Sequence, residues 1–426
     1  MTIFLLLISL VFSIIIIFQK VVLINVAIRI VCSITLTLLL YSVAFYMILL
    51  VGLSLIVLLN FVLFFQLIYI YKFFDFKQLL LIKFQYFNTL FLLIILSTTV
   101  TIYQKHVIPW GAWDGTFIWN LHAKFLADQD HWLQLFSNQI SWSHPDYPLF
   151  VPSLIAIFWH LNGSVSTIVP MLIGLLPLLG IIVILYSSLN NTLIGFIPCV
   201  IILLDSVFMS QASAQYADTW LAFFILLGTY LIVNIKQNKN LIFVTGIIVS
   251  GAFWVKNEGL FFFLITSLLI LFQYKSDKKL ILKYFSGTII LVAVLILFKI
   301  KNSAENDMLP GLFNTFGNKL LDSNRYILII KFLKITILEK FPILPFLILF
   351  SVFYYPKFEK WNIYPLIGIV FLICTYFFIY LFTPKDLTWH LETSLDRLLH
   401  QVYPTILLLF FIAIDGIPPR QSNFKL

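Results

Sequence analysis

Charge is scarce in this chain, and most of what the sequence excludes follows from that. Only 11% of its 426 residues are Asp, Glu, Lys or Arg, against 61% hydrophobic residues, and mean hydropathy is +1.03. Soluble domains carry roughly 25% charged and 45–50% apolar residues, so a soluble enzyme is ruled out. Cysteine is scarcer still. Cys32, Cys199 and Cys374 sit inside apolar runs with no CxxC, which leaves no paired disulfide framework. GxGxxG, a Walker loop, HExxH and GxSxG are all missing. Nucleotide binding, zincin-type hydrolysis and serine acyl transfer therefore have no legible site. The positive surplus, 27 − 18 = +9, lies mostly in short links between apolar runs. It reads as a topology signal, and nucleic acid is not expected as a partner.

What the chain does contain is long apolar runs. They fall near residues 3–18, 30–48, 50–70, 88–104, 165–187, 192–208, 219–235, 240–255, 258–274, 281–299, 341–355, 363–382 and 402–415. A span needs about 20 apolar residues, so the sequence predicts an all-α polytopic membrane protein with about 13 transmembrane helices. Ile3–Phe18 has no basic residue before it and no A-x-A site after it, and reads as a retained anchor. Basic links belong on the inner side. They hold Lys72, Lys77 and Lys83; Lys236 and Lys239; Lys275, Lys278, Lys279 and Lys283; and Lys357 and Lys360. Parity then leaves the short run Leu149–Leu161 as a helix lying along the membrane surface. The outer segments become 105–164, 206–218, 254–258, 300–340 and 384–401, and all seven histidines fall in them.

The chemistry-bearing residues cluster on that outer side. Asp114 follows a span directly and is flanked by Trp110, Trp113 and Trp119. Aromatics at this depth form an interfacial belt and also make walls for a sugar or lipid head group. Asp114 either caps a helix starting at Gly115 or serves chemistry. Asp128 and Asp130 form a D-x-D pair, either a weak divalent-cation candidate or solvated charge. His144-Pro145-Asp146-Tyr147-Pro148 is a rigid turn. Asp218, in Tyr216-Ala217-Asp218, opens a span, where capping and the helix dipole favour an acid. Lys256-Asn257-Glu258-Gly259 is wedged between two apolar runs, and charges at that depth are expensive and usually functional. Lys256 either pairs with Glu258 or holds a phosphate. Read as a helix, Pro384–His400 places Asp386, His390, Thr393, Arg397 and Gln401 on one polar stripe just outside the membrane. Arg397 is by chemistry a bidentate phosphate ligand.

A span, an acid opening the outer loop (Asp114), Trp119 and Ala123, the His144-Pro145…Pro148 turn, Tyr216-Ala217-Asp218 and Lys256-Asn257-Glu258-Gly259 follow in that order. Residues 88–415 so arranged resemble the GT-C superfamily of membrane glycosyltransferases, bacterial aminoarabinose transferases and protein O-mannosyltransferases in particular. The resemblance implies a polyprenyl-phosphate sugar donor entering from the membrane lipid, an extracytoplasmic acceptor and a catalytic acid at Asp114. Lys256, Arg397 and His390 are then expected near the leaving phosphate, and Asp218, Glu258, Trp113 and His144 near substrate. No cofactor is required, although a divalent cation is compatible. Many members carry a second acid after the first, where this chain has Gly115. Residues 1–87 add membrane helices of no assigned role to the GT-C-like core, 88–426. The chief rival is a transporter or flippase of a lipid-linked or anionic substrate; another lipid-linked glycan enzyme and an assembly subunit follow. The tail Gln421–Leu426 holds no eukaryotic retention signal, so the expected location is a bacterial inner membrane with the site toward the periplasm.

Overall fold

The computed structural model describes residues 2–21, 25–73, 86–302, 312–347, 349 and 363–415. Among them the chain is helical, with no strand. In order the helices are α1 (Thr2–Lys20), α2 (Val26–Val51), α3 (Leu55–Phe73), α4 (Tyr86–His106), α5 (Leu121–Ala127), α6 (Phe150–Asn162), α7 (Ile168–Ser187), α8 (Thr192–Leu204), α9 (Ser206–Ser213), α10 (Ala217–Asn234), α11 (Leu241–Val255), α12 (Gly259–Gln273), α13 (Lys278–Lys301), α14 (Leu312–Leu321), α15 (Ser323–Lys340), α16 (Tyr364–Phe382) and α17 (Leu387–Asp415).

Eight of these, α1, α2, α3, α7, α10, α13, α16 and α17, are long and apolar enough to cross a bilayer. The pair α8 and α9, bent by 70° at Asp205, makes a ninth if it is one broken span. The chain is thus a multi-pass membrane protein. Helix α4 has the length of a span and carries several hydroxyl side chains. Its Thr98, Thr99 and Thr101 hydroxyls bond back to Ile94, Ile95 and Ser97 carbonyls, which satisfies them within the helix. Helices α11 and α12 have 15 residues each, about 22 Å of rise, short of the roughly 30 Å of a hydrocarbon core. The expected run 341–355 lies partly outside the described residues, which include 341–347 and 349 of it, and Lys77, Lys83, Lys357 and Lys360 lie outside them.

Local signals set the helix ends. The Asn25 side chain accepts from the Ala27 and Ile28 amides and starts α2, while Gly52, at φ 73°, closes it. Asn191, Asp205, Asp277 and Asp322 cap α8, α9, α13 and α15 in the same way. Helix α10 is the axis of the bundle: 94% of its spanning window is buried, against 17% for α3 and 22% for α1. Around it pack α7, α11 and α17.

The short run Leu149–Leu161 is enclosed by protein: ten of the thirteen residues of α6 are buried, packed against α2, α5 and α7. A helix apolar all round belongs inside protein. Pro152 does not break it, because the third helical position donates no intrahelical bond. One expectation is corrected: the segment 384–401 is not a helix separate from the apolar run that follows it. It forms the first half of the continuous 29-residue α17, which runs on through Pro404 to Asp415.

A candidate active site where four segments converge

The site begins where the chain leaves α4. The loop after it is stitched to the loop before α10. The Ala112 amide donates to the Ala214 carbonyl at 3.1 Å, and Gln215 Nε2 donates to the Ile108 and Pro109 carbonyls. This fixes Asp114 beside the start of α10. A six-residue π-helix, Gly115–Asn120, follows. The Asp114 side chain makes no capping bond to it, so the capping alternative fails. Its carboxylate instead accepts from Arg397 Nη2 on α17, 283 residues away in sequence.

Gly115 is glycine for a steric reason. A Cβ there would stand 2.6 Å from the Ala214 carbonyl oxygen. No acid fits directly after Asp114 in this packing, and further carboxylates come from elsewhere in the fold.

Asp218, the second residue of α10, is fully buried and caps nothing. Its Oδ1 accepts from Lys256 Nζ at 2.8 Å and Gln401 Nε2 at 2.6 Å. Its Oδ2 accepts from Arg397 Nη2 at 2.8 Å and Nε at 3.3 Å. Lys256 occupies the turn between α11 and α12 and also pairs with Glu258 at 3.0 Å. Tyr376 of α16 donates to Gln401 Oε1 at 2.7 Å, which holds the amide with its nitrogen toward Asp218. Asp114, Asp218, Lys256, Glu258 and Arg397 are therefore one ionic network, built from the α4–α5 connection, α10, the α11–α12 turn and α17. Side-chain exposure gives it a direction. Asp218 at 0% and Lys256 at 4% form its floor, and Asp114 at 11%, Arg397 at 18% and Glu258 at 18% form its rim.

A second polar group braces the same turn. Asn257 Nδ2 donates to Asp146 Oδ2 at 2.9 Å, and Lys299 Nζ donates to the Asp146 carbonyl at 2.6 Å and to Asn257 Oδ1 at 3.3 Å. Next to Asp146, the Tyr147 ring lies between Trp119 and His144, stacked on both, with Lys256 Nζ 5.9 Å from its centroid. Burial, with Glu258 and Asp114 nearby, holds the Tyr147 hydroxyl above its usual range, so it stays protonated. Burial opposes the charge on Lys256, but Asp218 and Glu258 outweigh it and raise its affinity for the proton.

The other expected residues are placed as follows. Trp113 is 53% exposed and contacts Phe117 and Trp142, making an open aromatic patch one residue from Asp114. His144, at φ 54°, ends the loop and backs Tyr147. The His390 ring packs against Tyr380, two turns before Arg397. Asp386 caps the start of α17 through the Trp389 amide, and Thr393 bonds back to the Trp389 carbonyl. Arg397 and Gln401, at the far end of the polar stripe, enter the site. Asp128 pairs with His131 in an exposed loop and Asp130 is exposed. Among the described residues no three His, Cys, Asp or Glu side chains are grouped to hold a metal.

Tyr147, Lys299 and Tyr376 were not singled out from the sequence. Tyr147 lies within the His144–Pro148 turn, whose legible signals are His144 and the prolines, and Lys299, at a helix end, resembles a topology lysine. No family model, curated protein or solved structure matches this chain.

Proposed function

We propose that this protein is a GT-C-like membrane glycosyltransferase of about 13 spans. It moves a sugar from a polyprenyl-phosphate donor to an extracytoplasmic lipid, glycan or protein acceptor. We place it in a bacterial inner membrane with the network on the periplasmic side. The observation that carries the reading is the convergence of Asp114, Asp218, Lys256, Glu258 and Arg397 at one place, beside the aromatic patch of Trp113, Phe117 and Trp142. Asp114, Asp218, Lys256 and Glu258 lie in the motifs that carry the GT-C resemblance, and Arg397 comes from the polar stripe of 384–401.

In this reading the acceptor oxygen attacks the anomeric carbon and the bond from that carbon to the phosphate oxygen breaks. The electron pair leaves on the phosphate, where Arg397 and Lys256 stabilise the charge; such stabilisation is usually the largest catalytic contribution. The acceptor proton passes to Asp114, a general-base contribution of about 10²–10⁴-fold. One base and in-line displacement invert the anomeric centre. Asp218 holds both cations in place, and Glu258 and Trp113 face the substrate.

Transport of a lipid-linked or anionic substrate competes, because Asp218 and Arg397 lie on helices of spanning length, and buried ionisable groups there often line transport paths. Mass spectrometry of envelope glycans separates the two. The strains are a deletion, its wild-type complement and an Asp114→Asn complement of equal abundance. Loss of one sugar mass, restored by wild type alone, is expected. Restoration by Asp114→Asn would remove Asp114 from the chemistry and favour transport.

A further inference from the structure

We infer that Asp114 has a second role, as an exchangeable counter-ion of Arg397 that the donor's phosphate displaces when it binds. The inference rests on the transferase reading of the site and deepens it. The three carboxylates of the network are held very differently. Asp218 is buried and accepts from Lys256, Arg397 and Gln401, so it is fixed. Asp114 has one ionic contact, to Arg397 Nη2, and no capping bond to its own helix. Arg397 would stay in place without Asp114: its Nε and Nη2 remain on Asp218, and its guanidinium lies 4.7 Å from the Tyr216 ring centroid.

The charge balance makes exchange necessary. Three carboxylates against Lys256 and Arg397 give −3 + 2 = −1. The bracing pair, Asp146 and Lys299, adds nothing net. A phosphate brings at least one further negative charge into a largely buried place, where uncompensated charge is costly. One rim carboxylate must therefore withdraw. On the Arg397 side that is Asp114, since Asp218 has nowhere to go. Donor binding then both fills the guanidinium and turns the Asp114 carboxylate toward the acceptor. The donor seats first, and the base is presented only when there is a sugar to transfer.

The test is direct binding to the purified full-length protein in nanodiscs of zwitterionic lipid, with farnesyl phosphate as probe and farnesol and inorganic phosphate as parallel arms. Removing a like charge from contact distance is expected to tighten farnesyl phosphate binding by at least about tenfold in Asp114→Asn. Asp114→Ser gives the same sign without a new amide donor. Farnesol binding stays unchanged, and the gain disappears in Asp114→Asn/Arg397→Gln. Equal or weaker farnesyl phosphate binding by both Asp114 variants, each folded by size-exclusion profile, overturns the exchange. If Asp114→Asn also fails to restore the envelope sugar in that case, the transferase reading survives the loss of the exchange. A gain with inorganic phosphate but not with farnesyl phosphate supports the exchange while assigning it to a free phosphate. Absence of farnesyl phosphate and inorganic phosphate binding by wild type and variants alike overturns both.

Discussion

Replacing Asp218 by Asn is the sharpest perturbation of the network, because the shape is kept and one charge is removed. Asp218 is 0% exposed and accepts from two cations and one amide. Breaking a buried ion pair by removing one partner costs about 3–5 kcal/mol, since the other charge is left buried and uncompensated. Here each cation keeps one other carboxylate: Lys256 retains Glu258 at 3.0 Å, and Arg397 retains Asp114. The expected loss is therefore at the lower end, about 3 kcal/mol. The assay is equilibrium unfolding in mixed micelles, comparing wild type, Asp218→Asn and Asp218→Asn/Lys256→Met. The double variant removes one stranded cation and should recover part of the loss. An Asp218→Asn protein within about 0.5 kcal/mol of wild type, the range of an ordinary surface substitution, would refute the claim that Asp218 anchors the site.

Gly115→Ala should destabilise the protein by about 1–3 kcal/mol, as overpacking does, and lower transfer by shifting Asp114; the same unfolding assay and a sugar-transfer readout check both. Gly115→Glu, which supplies the acid many GT-C members have at that place, should be worse rather than better. Arg397→Lys keeps the charge but loses the planar fork that spans Asp114 and Asp218, so transfer should fall by about 10²-fold. Wild-type turnover in that variant would contradict its assigned role. His122 is buried against Ser143 Oγ at 3.2 Å, and burial pushes its imidazole down to about 3. An unfolded histidine titrates near 6.5, so below that pH the unfolded chain takes up the extra proton. Stability present above pH 6.5 is then lost progressively as pH falls toward 3, by about 2 kcal/mol at pH 5. His122→Gln should flatten that slope, and an unchanged pH profile would show that His122 is not its source.

The apolar periodicity was the most legible part of this molecule. Helices accompany the runs near 3–18, 165–187 and 219–235 because a helix satisfies the backbone of a single apolar segment in lipid from within. Less legible was how one element passes into the next. The polar stripe of 387–401 and the apolar run after it look like two units, yet α17 is unbroken across them because no capping residue intervenes. The site was legible residue by residue and not as a whole. Asp114, Asp218, Lys256, Glu258 and Arg397 each stood out as a charge too close to the membrane to be ordinary. Nothing in the spacing said that Asp114 and Arg397 would meet, since that contact depends on the stitching of Ile108–Ala112 to Ser213–Gln215. His390 and Arg397 share a helical stripe, but two turns of helix, about 10 Å of rise, separate them, and the His390 ring packs against Tyr380. Gln401 looked like one more stripe residue until its amide was placed between Tyr376 and Asp218.

The most direct test of the central claim is the pool of lipid-linked sugar in cells whose only copy is Asp114→Asn. Extracted polyprenyl-phosphate sugars would be measured by mass spectrometry against wild type at matched membrane abundance. If Asp114 takes the acceptor proton and the donor is a lipid phosphate, one polyprenyl-phosphate sugar accumulates in the variant while its sugar disappears from the envelope product. An unchanged lipid-linked pool in a cell that has lost the envelope sugar would contradict the donor, and an unchanged pool with the envelope sugar intact would contradict the role of Asp114.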